Sequence, residues 1–173
     1  MKDSKTLIVV FCAIGFALCL KILLLDIMRV QGRSMEPTLW AGELLYVSRW
    51  AFGPQVPFVG SYPFLWNRPR DNDLVVFRSP KDGVEAVKRC VGVQGNSISV
   101  ENNMLYIGTA SLPLSPLQAR RLEDFHAVPR DMVFVAGDNS RLSEDSRDYG
   151  FIPVMKLEGR VIYVGAASTP GFG

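Results

Sequence analysis

The chain has 173 residues, 48% of them hydrophobic and 21% charged, which excludes a disordered chain and suits one compact domain with an appendage. Nineteen lysines and arginines against seventeen aspartates and glutamates leave a net charge of +2, and no block of like charge points to a nucleic-acid partner. One histidine and three cysteines cannot assemble a clustered zinc site of standard spacing, so neither metal nor cofactor is expected.

The first element is an apolar run. Residues 7–25 read LIVVFCAIGFALCLKILLL, broken only by Lys21. As a helix they would span about 28 Å, close to the hydrocarbon thickness of a bilayer. Lys21 sits near the far end, where a long side chain snorkels to the interface. A cleaved leader is the competing reading, but the best small-x-small match, Ala17-Leu18-Cys19, is followed by further apolar residues rather than a polar mature start. An uncleaved anchor is therefore expected. Cys12 and Cys19 would lie about 10.5 Å apart along that helix, beyond disulfide reach, which leaves Cys90 without a partner. Charge alone barely fixes orientation: Lys2 and Lys5 oppose Lys21, Arg29 and Arg33.

After Asp26 the pattern changes. Short β-rich runs are bounded by Gly, Pro, Asn and Asp: 44–48, 73–78, 84–93, 97–100, 104–107, 132–136 and 158–164. Asn102-Asn103 predicts a tight hairpin turn, and Gln118–Phe125 a short helix or turn. The expectation is a mainly β domain of antiparallel sheet. Within it, residues 50–66 (WAFGPQVPFVGSYPFLW) carry no charge and many aromatics. They form either a long connection folded over the core or a surface dipping into the membrane interface.

Three segments carry candidate chemistry. Gly32-Arg33-Ser34-Met35-Glu36-Pro37-Thr38-Leu39 offers a serine nucleophile, which needs a base. On the strand Val84–Val93, Lys88 shares a face with Val84, Ala86 and Cys90. A lysine there either escapes to water at an edge or is desolvated, and desolvation lowers its pKa towards that of a general base. The polar loop 137–150 holds Ser143, Asp145 and Arg147. Its spacing does not fit an EF-hand, and its arginines oppose a cation. An Asp145–Arg147 pair bracing the loop while a serine orients a neighbour is the more natural reading.

In order, these segments resemble the type I signal peptidase family, the Ser/Lys leader peptidases. Ser34-Met35-x-Pro37-Thr38-Leu39 resembles its nucleophile box, and Arg70–Arg78 the strand box that follows. Lys88-Arg89-x-Val91-Gly92-x-x-Gly95 resembles the lysine box, and Gly137-Asp138-Asn139 with Ser143, Asp145, Ser146 and Arg147 the last one. The resemblance implies a membrane-anchored serine endopeptidase that removes signal peptides from exported preproteins after small residues. Its partners would be signal peptides and membrane lipid. Residues 1–6 would be cytoplasmic, 7–25 a single-pass anchor in the cell membrane, and 26–173 an extracytoplasmic peptidase domain.

The same resemblance makes Ser34 the nucleophile, Lys88 the general base, Ser143 the group that orients it, and Asp145 and Arg147 supports. Substrate would lie as an extended strand between Met28–Gly32 and Glu85–Val87. A shallow pocket of Val30, Met35, Leu39, Ala86 and Val87 would admit a small side chain. Two departures stand out. Gly32 replaces a serine that some members use in the oxyanion hole, and Asn96 follows Gly95 where aspartate is usual. Alternatives are a related enzyme devoted to one substrate such as a conjugative pilin, a catalytically silent membrane-tethered β module, and a Ser-His-Asp hydrolase using His126.

Overall fold

The computed structural model describes residues 6, 9–15, 25–54 and 62–165. Most of the apolar run lies outside these residues. Those described within it, 9–15, are helical with exposed side chains, and Leu25 opens a strand. No helix among the described residues is long and apolar enough to cross a membrane.

The domain is mainly antiparallel β, as its short β-rich runs between turn residues predict. Ten strands occur among the described residues: β1 Leu25–Arg29, β2 Leu44–Ser48, β3 Leu74–Arg78, β4 Glu85–Val93, β5 Ile98–Glu101, β6 Met104–Ile107, β7 Ala110–Pro113, β8 Met132–Ala136, β9 Ile152–Pro153 and β10 Leu157–Gly165. Two short helices interrupt them, α1 Pro116–Leu122 and α2 Ser146–Tyr149. The large sheet runs β1-β2-β10-β3-β4-β8-β9, and the small one β5-β6-β7. Asn102 and Asn103 both take positive φ (51° and 61°), as a tight turn between β5 and β6 requires. Helix α1 starts at a capping box in which Ser115 and Gln118 exchange hydrogen bonds.

Apolar alternation drives three core clusters. Under the large sheet lie Phe52, Tyr62, Val75, Phe77, Cys90, Val133 and Val135. Ile98, Leu105, Ile107 and Phe134 join the small sheet to it. Met35, Leu39, Leu45, Val47 and Val76 form the third, nearest the predicted nucleophile. The aromatic stretch divides its residues between two roles. Phe52 and Tyr62 are buried, whereas Trp50, Phe64 and Trp66 are exposed and touch ring to ring. Residues 55–61, including Phe58, lie outside the described ones.

Candidate active site

Ser34 sits in a turn just beyond β1. Met35 and Leu39, the next apolar residues, are plugged into the third core cluster and fix that turn. Leu39 N–H donates to the Met35 carbonyl at 2.9 Å. From the opposite side, Asn139 N–H donates to the Ser34 carbonyl at 3.0 Å, so the Ser34 turn is pinned to the polar loop after β8.

Lys88 lies in mid-β4, paired with Val75 on β3. Its strand face also carries Ala86 and the fully buried Cys90, and Lys88 itself is 5% exposed. Of the two outcomes open to a lysine on such a face, the structure takes the desolvated one. Burial pushes its pKa below the ordinary lysine value, outweighing the opposing pull of Asp145. Its ammonium nitrogen donates to Ser143 Oγ at 2.9 Å. Ser143 in turn donates to Asp145 Oδ2 at 2.6 Å.

Asp145 is fully buried and heavily tied. Arg147 grips it side-on, Nε to Oδ1 at 2.9 Å and Nη2 to Oδ2 at 2.8 Å, and Gly137 N–H adds a bond of 2.9 Å. Burial alone would raise its pKa, but Arg147, Ser143 and Gly137 together hold it below the ordinary carboxylate value. Arg147 also reaches the carbonyls of Pro113 and Ser140, which anchors the loop to the small sheet. Gly137 is where the parts converge. A side chain there would sit 2.5 Å from both Ser143 Cβ and the Ser34 carbonyl oxygen.

A cleft of about 510 Å³ opens beside this arrangement. Ser34, Val30, Met35, Leu39, Ala86 and Val87 all line it. The lining ends on β4 at Val87, and Lys88 is the next residue along the strand. His126, by contrast, is exposed, and its backbone carbonyl bonds Ile98 N–H beside the small sheet. The described residues hold no group of three metal-ligating side chains.

The family model described as signal peptidase, peptidase S26 matches residues 4–165. The chain belongs to that family. It is thereby a serine endopeptidase of the signal peptidase type. A signal peptidase I from Bacillus caldolyticus is 30% identical over 169 residues, covering 87% of this chain and 85% of the relative. A signal peptidase I from Bacillus licheniformis is 29% identical, covering 90% and 84%. A mitochondrial ATP-independent inner membrane protease subunit 1b from Arabidopsis thaliana is 32% identical, covering 76% and 64%. Among solved structures, a signal peptidase I from Enterococcus faecalis matches with 29% identity and a TM-score of 0.43, over 55% of this chain and 97% of that one.

Within this S26 domain, one brace was not singled out from the sequence. Arg89 grips Asp138 side-on, Nε to Oδ1 at 2.8 Å and Nη2 to Oδ2 at 2.7 Å, and also donates to Thr38 Oγ1 at 3.3 Å. One guanidinium thus joins the Ser34 turn, the Lys88 strand and the polar loop. All three residues lie inside the quoted boxes, so their adjacency to Ser34, Lys88 and Ser143 was the available signal. Asn96, the departure already noted after Gly95, accepts Val93 N–H on its Oδ1 at 2.7 Å. The amide therefore makes an acceptor bond that a carboxylate would make in its place.

Proposed function

We propose that this chain is a membrane-anchored signal peptidase that cuts preproteins after small residues with a Ser34/Lys88 dyad. The observation that carries the reading is a buried lysine whose amine rests on Ser143 beside a cleft lined by Ser34. Lys88 is the general base. With its pKa lowered by burial, it takes the Ser34 hydroxyl proton as Oγ attacks the scissile carbonyl.

Ser143 sets the direction of that transfer. Its own proton is committed to Asp145, so towards Lys88 it can only accept. Accepting one amine hydrogen turns the nitrogen lone pair away from Ser143 and leaves it for Ser34. Asp145 and Arg147 keep Ser143 in that state. The developing oxyanion is held by backbone N–H groups at Ser34 and near Gly32, since Gly32 offers no hydroxyl. The protonated Lys88 then passes its proton to the leaving amine, and a water activated by the same amine releases the acyl group from Ser34.

Substrate enters as an extended strand between β1 and the start of β4. Val30, Met35, Leu39, Ala86 and Val87 form the shallow seat for the small residue before the cut. The apolar run up to β1 anchors the protein in the cell membrane with residues 1–6 cytoplasmic, and the domain from Leu25 onward acts outside. Incubation of the purified protein in detergent with an exported preprotein, followed by mass analysis of both products, tests this function. One cut after a small residue at the leader junction is expected. No cut, or cuts scattered through the mature part, would contradict it.

A further inference from the structure

One side chain outside the dyad ties together both walls of the cleft. Arg49, directly after β2, donates from Nε to Asp26 Oδ2 at 3.0 Å and from Nη2 to Glu85 Oε1 at 2.8 Å. Its Nη2 also bonds Asp26, and its Nη1 bonds Glu158 Oε2 at 3.0 Å. These carboxylates stand on β1, β4 and β10, and Arg78 on β3 closes the set on Glu158 at 2.9 Å. Burial works against the Arg49 charge, but its bonds to Asp26 and Glu85 outweigh that and raise its pKa.

The strand register places all of these groups at one end of the large sheet. Asp26 lies opposite Val47, Arg160 opposite Ser48, and Glu85 opposite Arg78. In strand order three strands separate β1 from β4. One guanidinium can bind both only where the sheet curls β1 back towards β4. Among the described residues β1 pairs with β2 alone, and β4 meets β8 only from Arg89 onwards. The two strands therefore present unpaired edges, and the cleft lies between 26–32 on one side and 84–87 on the other.

We propose that Arg49 is a positioning residue that fixes the separation of the two cleft walls, and with it the grip on the substrate strand ahead of the cut. The proposal rests on the signal peptidase reading and deepens it. Glu85 is three strand steps from Lys88, about 10 Å. A substrate with three residues before the cut ends near this tie, whereas one with seven runs past it. Without Arg49, Asp26 loses its link to Glu85, while Glu158 keeps Arg78 and its hydrogen bond to Glu85, and β1 is freed from β4. Lys88 and Ser143 take no bond from Arg49, so the chemical step is left intact.

The test uses the full chain in detergent and two peptides, with seven and with three residues before the same small-residue cut. Arg49→Met is expected to raise KM for the long peptide roughly tenfold while kcat stays within about twofold. The short peptide should keep its kcat/KM, and the acidic limb of the pH–rate profile should not move. Asp26→Asn, which cuts only the β1 leg, should raise the long-peptide KM by less. The double variant should be no worse than Arg49→Met, because both changes break one tie. Equal losses on both peptides, a fall in kcat at unchanged KM, or additive effects would overturn the proposal. Should Arg49→Met fail to fold, Asp26→Asn carries the same test, since the Asp26 side chain is 44% exposed. An unchanged KM there would overturn it as well. Wild-type turnover, absent in Ser34→Ala, tests the peptidase reading separately.

Discussion

Gly137→Ala is a single methyl placed where the nucleophile turn meets the loop that carries Ser143. The new Cβ would stand 2.5 Å from Ser143 Cβ and 2.5 Å from the Ser34 carbonyl oxygen, and closer still to Ser143 Oγ. Ordinary contact needs about 3.5 Å, so the groups must part by about 1 Å. Neither obstacle is a flexible tip. The Ser34 carbonyl is backbone pinned by Asn139, and Gly137 is itself held by its bond to Asp145.

Overpacking of this kind costs about 1–3 kcal/mol, which lowers Tm by roughly 2–12 °C in a chain of this size. Catalysis should suffer more than stability, because a displacement of about 1 Å between reacting groups costs on the order of a hundredfold in rate. The assay is single-turnover cleavage of a preprotein well below the melting temperature, with Tm measured in parallel. Adding Ser143→Ala should not restore activity, since Ser143 Cβ and the Ser34 carbonyl still obstruct. A Gly137→Ala protein with wild-type turnover would refute the convergence of Ser34 and Ser143 on this glycine.

Further outcomes follow from the same geometry. Cleavage should rise with pH through the lowered Lys88 pKa and should be indifferent to His126→Ala; an acidic limb near 6.5 that vanishes in His126→Ala would indicate a histidine base. A lysine whose folded pKa is lowered is destabilising below that value, and the penalty disappears as pH rises towards its unfolded value, about 10.4. Lys88→Met should therefore be inactive yet more stable to denaturant at neutral pH. Arg147→Met strands the buried Asp145 carboxylate and should cost about 3–5 kcal/mol at pH 7. The depressed Asp145 pKa contributes stability that is present above about pH 4 and lost as pH falls through the folded value, so the gap from wild type should narrow at pH 3. Trp50→Ser, Phe64→Ser and Trp66→Ser together should weaken liposome flotation of the chain lacking residues 1–24 without lowering Tm, while Phe52→Ala, in the core, should lower it sharply.

Local pattern made most strands legible. β2, β6 and β8 fall on their expected residues, and β3, β4, β5 and β10 within one residue at either end. β1 was hidden because Leu25 closes the apolar run and the remaining Asp26-Ile27-Met28-Arg29 is too short to show a strand alternation of its own. β9 was hidden by its two-residue length, and β7 (ASLP), as long as β5 and β6, because it carries no β-branched or aromatic residue and ends on proline. The charge-free stretch from Trp50 could not reveal that Phe52 and Tyr62 turn inward, because burial there depends on strands distant in sequence.

At the site, Ser34, Lys88, Ser143, Asp145 and Arg147 were singled out by the order of their segments and the family that order resembles, not by residue type alone. The Arg89–Asp138 and Arg49–Glu158 pairs were not, because each joins residues 49 or 109 positions apart. Only sheet register brings them together, and no local periodicity encodes it.

The central claim is that Ser34 and Lys88 act as one catalytic unit. Its most direct test compares preprotein cleavage by purified wild type, Ser34→Ala and Lys88→Ala, each checked for folding by its melting curve. Both variants should melt cooperatively and each should lose nearly all activity, since a nucleophile and its base fail together. Substantial turnover by a folded Lys88→Ala protein would contradict it.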